Sequence, residues 1–333
     1  MTAALAFSPG LIEATEPPEY RGVARDGVGM LVTDRQQRSH THAHFYDLPW
    51  LLRAGDLLVV NDSATLPASI VARRNNGDTI RLHVSTKIDE RLWTVEPRGL
   101  VDAGETLALP AGATATMIVP VEPRQPRLWF AAFHLDAPMY AYLTKFGTPI
   151  SYPYLHRTFP LRDYQTLFAR EMGSSEMPSA ARPFTKSVVA ELRDRGVEIA
   201  TITLHCGVAS FEASERPGTE RFMVSHATAD RVNTTRRKGL RVIAVGTTVV
   251  RALESAATDE GVVATSGWTD LIIDETYRPK AVDALLSGFH DTNATHLSLL
   301  HAFIDAELLQ DAYLQAAESR YRYHEFGDVQ LIL

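Results

Sequence analysis

The chain has 333 residues, 45% apolar and 22% charged, with a net charge of −7 and a single cysteine. That length accommodates two domains with full cores, while the acidic balance supplies no global basic field to hold a polyanion. One cysteine excludes an internal disulfide and any multi-thiolate metal site, and no apolar run approaches the roughly 20 residues of a membrane span.

Residues 1–9 lack a basic leader region, so a cytoplasmic enzyme without membrane attachment is expected. Residues 28–33 read as a strand and 44–52 as a short helix. Gly55-Asp-Leu-Leu-Val-Val-Asn61-Asp62 is a second, buried strand that ends in polar residues. Between about Leu66 and Leu135 the texture changes to short runs at 79–84, 91–95, 114–119 and 127–133, separated by Gly- and Pro-containing turns. Strands so short and so close predict a small antiparallel barrel or sandwich. Helices then alternate with apolar runs at 197–204, 242–245 and 269–273, the pattern of an α/β sheet. The predicted architecture is α/β, a Rossmann-like, mostly parallel sheet domain formed by residues 1–65 and 136–333. Residues 66–135 are inserted into it as a small antiparallel β-barrel. The apolar run after Gly327-Asp328 predicts a last strand closing the sheet.

Several segments combine groups suited to chemistry. In Val245-Gly246-Thr247-Thr248-Val-Val-Arg251-Ala-Leu-Glu254 an apolar run turns through a Gly-Thr-Thr corner into a helical pattern. Such a corner presents backbone N–H groups and hydroxyls at the edge of a parallel sheet. Arg251 either pairs a ligand carboxylate or bridges to Glu254 three residues on. Tyr164-Gln165 lies in a helix-like stretch at 162–171, where Gln165 reads a nucleobase edge or faces solvent. Ser179 sits in a polar loop ahead of Thr185, an N-cap for a helix over 186–195.

His205 and Cys206 are adjacent, so on a strand they face opposite sides and form no nucleophile–base pair. Cys206 reads as a small buried apolar residue, and His205, near a strand end, as a site candidate. His290, after Ser287-Gly288-Phe289, reads as a positioned acid, base or donor. His296 and His301 are five apart, off a common helical face, and complete no ligand pattern, so no metal is expected.

In chain order, Phe45-Tyr-Asp-Leu-Pro, residues 55–62, Asp163-Tyr-Gln-Thr-Leu-Phe-Ala, Pro178-Ser-Ala with Phe184-Thr185, Thr203-Leu-His205, residues 245–255, Gly267-Trp-Thr-Asp270, Phe289-His290 and residues 321–328 carry a resemblance. The chain resembles the S-adenosylmethionine:tRNA ribosyltransferase-isomerase family of queuosine biosynthesis over nearly its whole length. The resemblance implies an α/β domain with an inserted antiparallel barrel. It also implies S-adenosylmethionine as a ribosyl donor and tRNA bearing 7-aminomethyl-7-deazaguanine as acceptor. In that chemistry a base removes a C5′ proton acidified by the sulfonium, adenine departs, the acceptor amine attacks, and epoxide closure releases methionine. Acid and base roles then fall to His290 and His205. Contacts to S-adenosylmethionine fall to Tyr164, Gln165, Ser179, Gly246, Thr247, Thr248, Arg251 and Phe289.

Four loops depart from the family. Its Pro-Thr-Ala-Gly-Leu-His-Phe-Thr is Pro178-Ser-Ala-Ala-Arg182-Pro183-Phe184-Thr185 here, and its Gly-x-Gly-Thr-Phe is Gly207-Val-Ala-Ser210-Phe211. Its His-x-Met-His-x-Glu keeps only Glu220, and its Asn-Phe-His-Leu-Pro is Gly288-Phe289-His290-Asp291-Thr292. These changes and the acidic balance open an alternative: S-adenosylmethionine used on a small-molecule acceptor, or cleaved by itself. Arg73, Arg74, Arg81 and Arg98 are the arginines near the insertion available to nucleic-acid phosphates.

Overall fold

Every residue of Leu57–Asn61 is buried, as an apolar run without alternation predicts for a strand covered on both faces. The structure, a computed structural model, describes residues 10–124, 126–208, 218–290 and 296–333, without the side chain of His296. The first strands are β1 (Ile12–Glu13), β2 (Gly29–Asp34), β3 (Ser39–His44), β4 (Leu57–Asn61) and β5 (Ser63–Thr65). The next six are β6 (Ser69–Arg73), β7 (Thr79–Lys87), β8 (Leu92–Pro97), β9 (Thr106–Ala108), β10 (Thr114–Pro120) and β11 (Trp129–His134). Then come β12 (Glu171–Ser174), β13 (Glu198–Leu204), β14 (Glu220–Val224), β15 (Val242–Val245) and β16 (Ala257–Thr258). The last are β17 (Gly261–Val262), β18 (Thr265–Thr269), β19 (Ala284–Gly288), β20 (Arg322–Tyr323) and β21 (Val329–Ile332).

Nine strands form the main sheet in the order β18-β14-β13-β4-β15-β19-β21-β2-β3. Its centre, β13-β4-β15-β19, is parallel, and β21 runs parallel to β2. The remaining four junctions are antiparallel, so the sheet is mixed where a mostly parallel one is expected. Part of the reason is connection length: residues 35–38 between β2 and β3 leave no room for a crossover helix. The C-terminal strand does not close an edge; β21 lies inside the sheet, between β19 and β2.

Successive side chains point to opposite faces with a period of two. Leu57, Val59, Val242, Ala244 and Leu285 enter one core, with Val249, Leu309 and Tyr313 from helices. Leu58, Val60, Ile243, Val245 and Leu286 enter the other, against Phe45, Phe184 and Leu192. Strands β6 to β11 close a six-stranded barrel in the order β10-β11-β8-β7-β6-β9. Its interior holds Leu82, Val84, Trp93, Met117 and Phe133, sealed by Met139, Tyr142 and Leu143 of the helix Met139–Phe146.

Three local expectations change. The stretch 162–171 is no helix: a 3₁₀ turn (Leu161–Tyr164) ends at an extended Gln165, and β12 then pairs with β5. The reason is tertiary, because the Gln165 amide bonds the Thr65 backbone in both directions, at 2.7 and 3.0 Å. Residues 44–52 divide into a 3₁₀ turn (Phe45–Asp47) and a short helix (Leu48–Leu51). The run at 269–273 is a strand only up to Thr269, whose hydroxyl then accepts from the Leu271 N–H at 3.2 Å. The helix Lys186–Asp194 does start on Thr185, which accepts from the Val188 N–H at 3.3 Å.

Truncating Leu58 to Ala in the fully buried centre of β4 is expected to cost about 3 kcal/mol. Urea unfolding would show it as a lower midpoint with an unchanged slope.

Candidate active site

Because β13, β4, β15 and β19 are parallel, their C-terminal ends lie along one edge, where open α/β sheets bind ligands. Asn61 ends β4, His205 follows β13, Gly246 follows β15 and His290 stands two residues beyond β19. Asn61 is fully buried and joins these ends. Its amide donates to the Leu204 carbonyl at 2.8 Å and to the Thr248 hydroxyl at 3.4 Å. Its Oδ1 accepts from the Leu204 and Ser63 N–H groups at 3.0 and 3.1 Å.

His205 is half-buried on this edge. Its Nδ1 meets Ser63 Oγ at 2.8 Å, and Ser63 Oγ meets Ser174 Oγ at 2.6 Å. The ring lies against Gly173, where a Cβ would come within 2.4 Å of Nδ1, so only glycine admits it. Burial, and next the charge of Arg221, push the His205 pKa down, with Asp62 opposing. Cys206 packs in the core, and burial raises its thiol far above the usual range. It is not a nucleophile there.

At the neighbouring corner Gly246 has φ +94°, a conformation that favours glycine. The helix Thr247–Ser255 begins there with half-buried Thr247 and Thr248 and no side-chain cap. Ala180, beside Ser179, packs over the corner: a Cβ on Gly246 would meet its Cβ at 3.4 Å. On the next strand Ser287 Oγ lies 3.0 Å from His290 Nε2, and the His290 N–H donates to the Tyr313 hydroxyl at 3.2 Å. The barrel reaches the same edge through Ser85. This residue accepts from the Ser175 hydroxyl at 3.0 Å and from the Val208 N–H at 2.9 Å.

The family described as queuosine biosynthesis protein matches residues 7–332. An S-adenosylmethionine:tRNA ribosyltransferase-isomerase of Moorella thermoacetica is 38% identical, the match covering 98% of this chain and 97% of that protein. One of Symbiobacterium thermophilum is 35% identical with the same coverage. The chain belongs to this family. A crystal structure of an S-adenosylmethionine tRNA ribosyltransferase from Thermotoga maritima shares the fold, with a TM-score of 0.57 at 28% identity. That likeness covers 99% of this chain and 100% of the other.

Within this member of the queuosine biosynthesis family, several residues singled out by sequence are engaged by the protein itself. Gln165 is held by Thr65. Phe289 is buried edge-on to Tyr313 and Tyr321, at 5.2 and 5.6 Å between ring centres. Tyr164 is buried against Phe326, and burial with the nearby Glu325 charge raises its phenol well above the usual range. Arg251 turns away from Glu254 and pairs with Glu220, adding bonds to the Gly218, Thr269 and Leu271 carbonyls. Glu254 instead accepts the Lys280, Ala281 and Val282 N–H groups at 2.8–3.2 Å. Of the four arginines near the barrel, Arg74 pairs with Glu105, Arg81 with Ser69 and Arg98 with Glu96, while Arg73 is exposed.

Ser210, Phe211, Asp291, Thr292 and the His296 side chain lie outside the described residues. Among the described residues, no group of three or more His, Cys, Asp or Glu is placed to hold a metal ion, and no helix is long and apolar enough to cross a membrane.

Sequence reasoning omits Ser63 and Ser174 from the edge and gives no role to Tyr152 or Tyr154. The two tyrosines donate to Glu176 and Glu325, and Tyr154 stacks on His324 at 3.9 Å. None carries a motif; only the polar ending of β4 gives a signal, and it points to Asn61.

Removing either Arg251 or Glu220 strands a buried charge, so Arg251→Met and Glu220→Gln should each cost about 3–5 kcal/mol. The double variant should cost less than their sum in a double-mutant cycle of unfolding free energies. His205 favours its neutral form on folding, so an NMR titration should give a pKa below the ordinary 6.5. Its contribution to stability is then intact above that value and declines as the pH falls below it. A measured pKa at or above 6.5 contradicts this assignment.

Proposed function

We propose that this protein transfers the ribosyl unit of S-adenosylmethionine to 7-aminomethyl-7-deazaguanine in tRNA, releasing adenine and methionine. One observation carries the reading: two histidines, a Gly-Thr-Thr corner and Ser179 gather at one edge of four parallel strands, in a chain matching the named relatives over nearly their full length. That full-length match favours the tRNA reaction over a small-molecule acceptor, despite the altered loops. We also read residues 66–135 as a unit inserted between 1–65 and 136–333, the four parallel strands as a Rossmann-like crevice, and the cytoplasm as its compartment.

In this reading the first-turn N–H groups and hydroxyls of Gly246, Thr247 and Thr248 take the substrate carboxylate or ribose, since a helix start favours negative charge. Ser179 completes that pocket. Tyr164, Gln165 and Phe289 build its walls, and Arg251 acts through the loop that it anchors. Glu176 and Glu325, each bonded by a tyrosine, offer carboxyl oxygens to a sulfonium or an ammonium group. His205 and His290 exchange protons or hydrogen bonds with the reacting atoms.

Mass spectrometry of adenine and methionine, with S-adenosylmethionine alone and with precursor tRNA added, tests the reading. Release is expected only with the tRNA. Release without it would favour the small-molecule or cleavage alternative, and none under either condition would refute both. His290→Ala should lower kcat about 10²- to 10⁴-fold with the fold intact.

A further inference from the structure

We infer that Ser63 and Ser174 are positioning residues that lock His205 in the tautomer with its proton on Nε2, so that this histidine meets substrate as a hydrogen-bond donor. The inference rests on the reading above that His205 takes part in the reaction.

The direction of the relay follows from its fixed end. The Cys206 N–H can only donate, and it does so to Ser174 Oγ at 2.9 Å. Ser174 and Ser63 are both fully buried, so a hydroxyl proton without an acceptor would be costly at either position. Ser174 Oγ lies 2.6 Å from Ser63 Oγ and donates to it, and its rival acceptor, the Cys206 thiol, is a weak one. Its proton therefore goes to Ser63. The Ser63 proton in turn goes to His205 Nδ1 at 2.8 Å, which must offer a lone pair. Reversing the chain would place a proton on Nδ1 but leave the Ser174 hydroxyl proton only the weakly accepting Cys206 sulfur. The neutral ring is thus protonated on Nε2, and Nε2 bonds no described residue.

The surroundings hold this state. The small parallel pair β5 and β12 carries the two serines, with Glu171 opposite Ser63 and Ser174 opposite Thr65. Gly173 leaves room for the ring, since a Cβ there would come within 2.4 Å of Nδ1. The charged groups facing the ring are Arg221 on β14, which opposes a second proton, and Asp62 beyond β4, which favours one. Asp62 also accepts from the Thr203 hydroxyl at 2.7 Å. A neutral imidazole donates through Nε2 without surrendering its proton, which suits the nitrogen of a departing adenine. A separate group must then accept the C5′ proton, and that role falls to His290.

Long-range ¹H–¹⁵N correlation on the wild-type protein at pH 7.5 tests the tautomer directly, with the His205 signals assigned by their loss in His205→Gln. Pyridine-type Nδ1 and pyrrole-type Nε2 shifts are expected; a protonated Nδ1 overturns the inference. Ser63→Ala should average the two shifts and lower kcat about tenfold, with KM for S-adenosylmethionine within twofold. An unchanged spectrum with unchanged kcat would also overturn it. His205→Ala should lose about 10²-fold in kcat, and His205→Gln, whose amide restores a donor near Nε2, should recover about tenfold of that. A fully active His205→Ala would remove His205 from the reaction whatever the spectrum shows, so the catalytic reading and the tautomer assignment fail separately.

Discussion

The Asn61 side chain reaches no solvent and carries no charge, yet four elements meet on its amide. It closes two hydrogen bonds with Leu204 at the end of β13, one with the start of β5 and one with Thr248 on the helix after β15. Each bond contributes only about 1 kcal/mol, but leaving any of these buried groups unpaired would cost about 1–3 kcal/mol. The geometry of the site therefore has few alternatives. The end of β13 and the first turn of the helix after β15 are both tied to the last residue of β4. His205, the Gly246 corner and Ser63 hold their relative positions because of this one amide.

Around that pin the protein divides its polar groups into those that hold loops and those that face the open edge. Arg251 with Glu220, and Glu254 with the 280–282 backbone, are buried and saturated by protein partners. A buried charge persists only where it is paired and hydrogen-bonded, and these residues find those partners within the protein. His205 and His290 are different: each is half-buried and anchored through one ring nitrogen by a serine. The barrel joins the arrangement through Ser85, which holds both strands of loop beside His205. The barrel is thereby hydrogen-bonded to the loops that flank His205.

Much of the layout was legible in the residues. The unbroken apolar runs at β4 and β15 announced strands buried on two faces, and the short alternating runs between Leu66 and Leu135 announced the barrel. The Gly-Thr-Thr corner announced a strand-to-helix turn, because φ +94° at Gly246 and a helix start leave a recognisable signature. Gln165 misled in the other direction. Its surroundings have helical periodicity, but its amide finds the Thr65 backbone a hundred residues earlier, and that pairing overrides local propensity. Arg251 misled for a similar reason, since its spacing to Glu254 suits a helical ion pair while Glu220 arrives from strand β14.

The sequence by itself determined the family, the α/β class with its barrel and the positions of both histidines. All of these rest on short-range patterns or on colinear motifs. Only the tertiary structure decided which polar residues are spent on architecture, how the nine strands are ordered and which nitrogen of His205 carries the proton. The physical reason is range. A hydrogen bond such as Ser63 to His205 joins residues 142 apart in the chain, and no local pattern records a partner that arrives through folding.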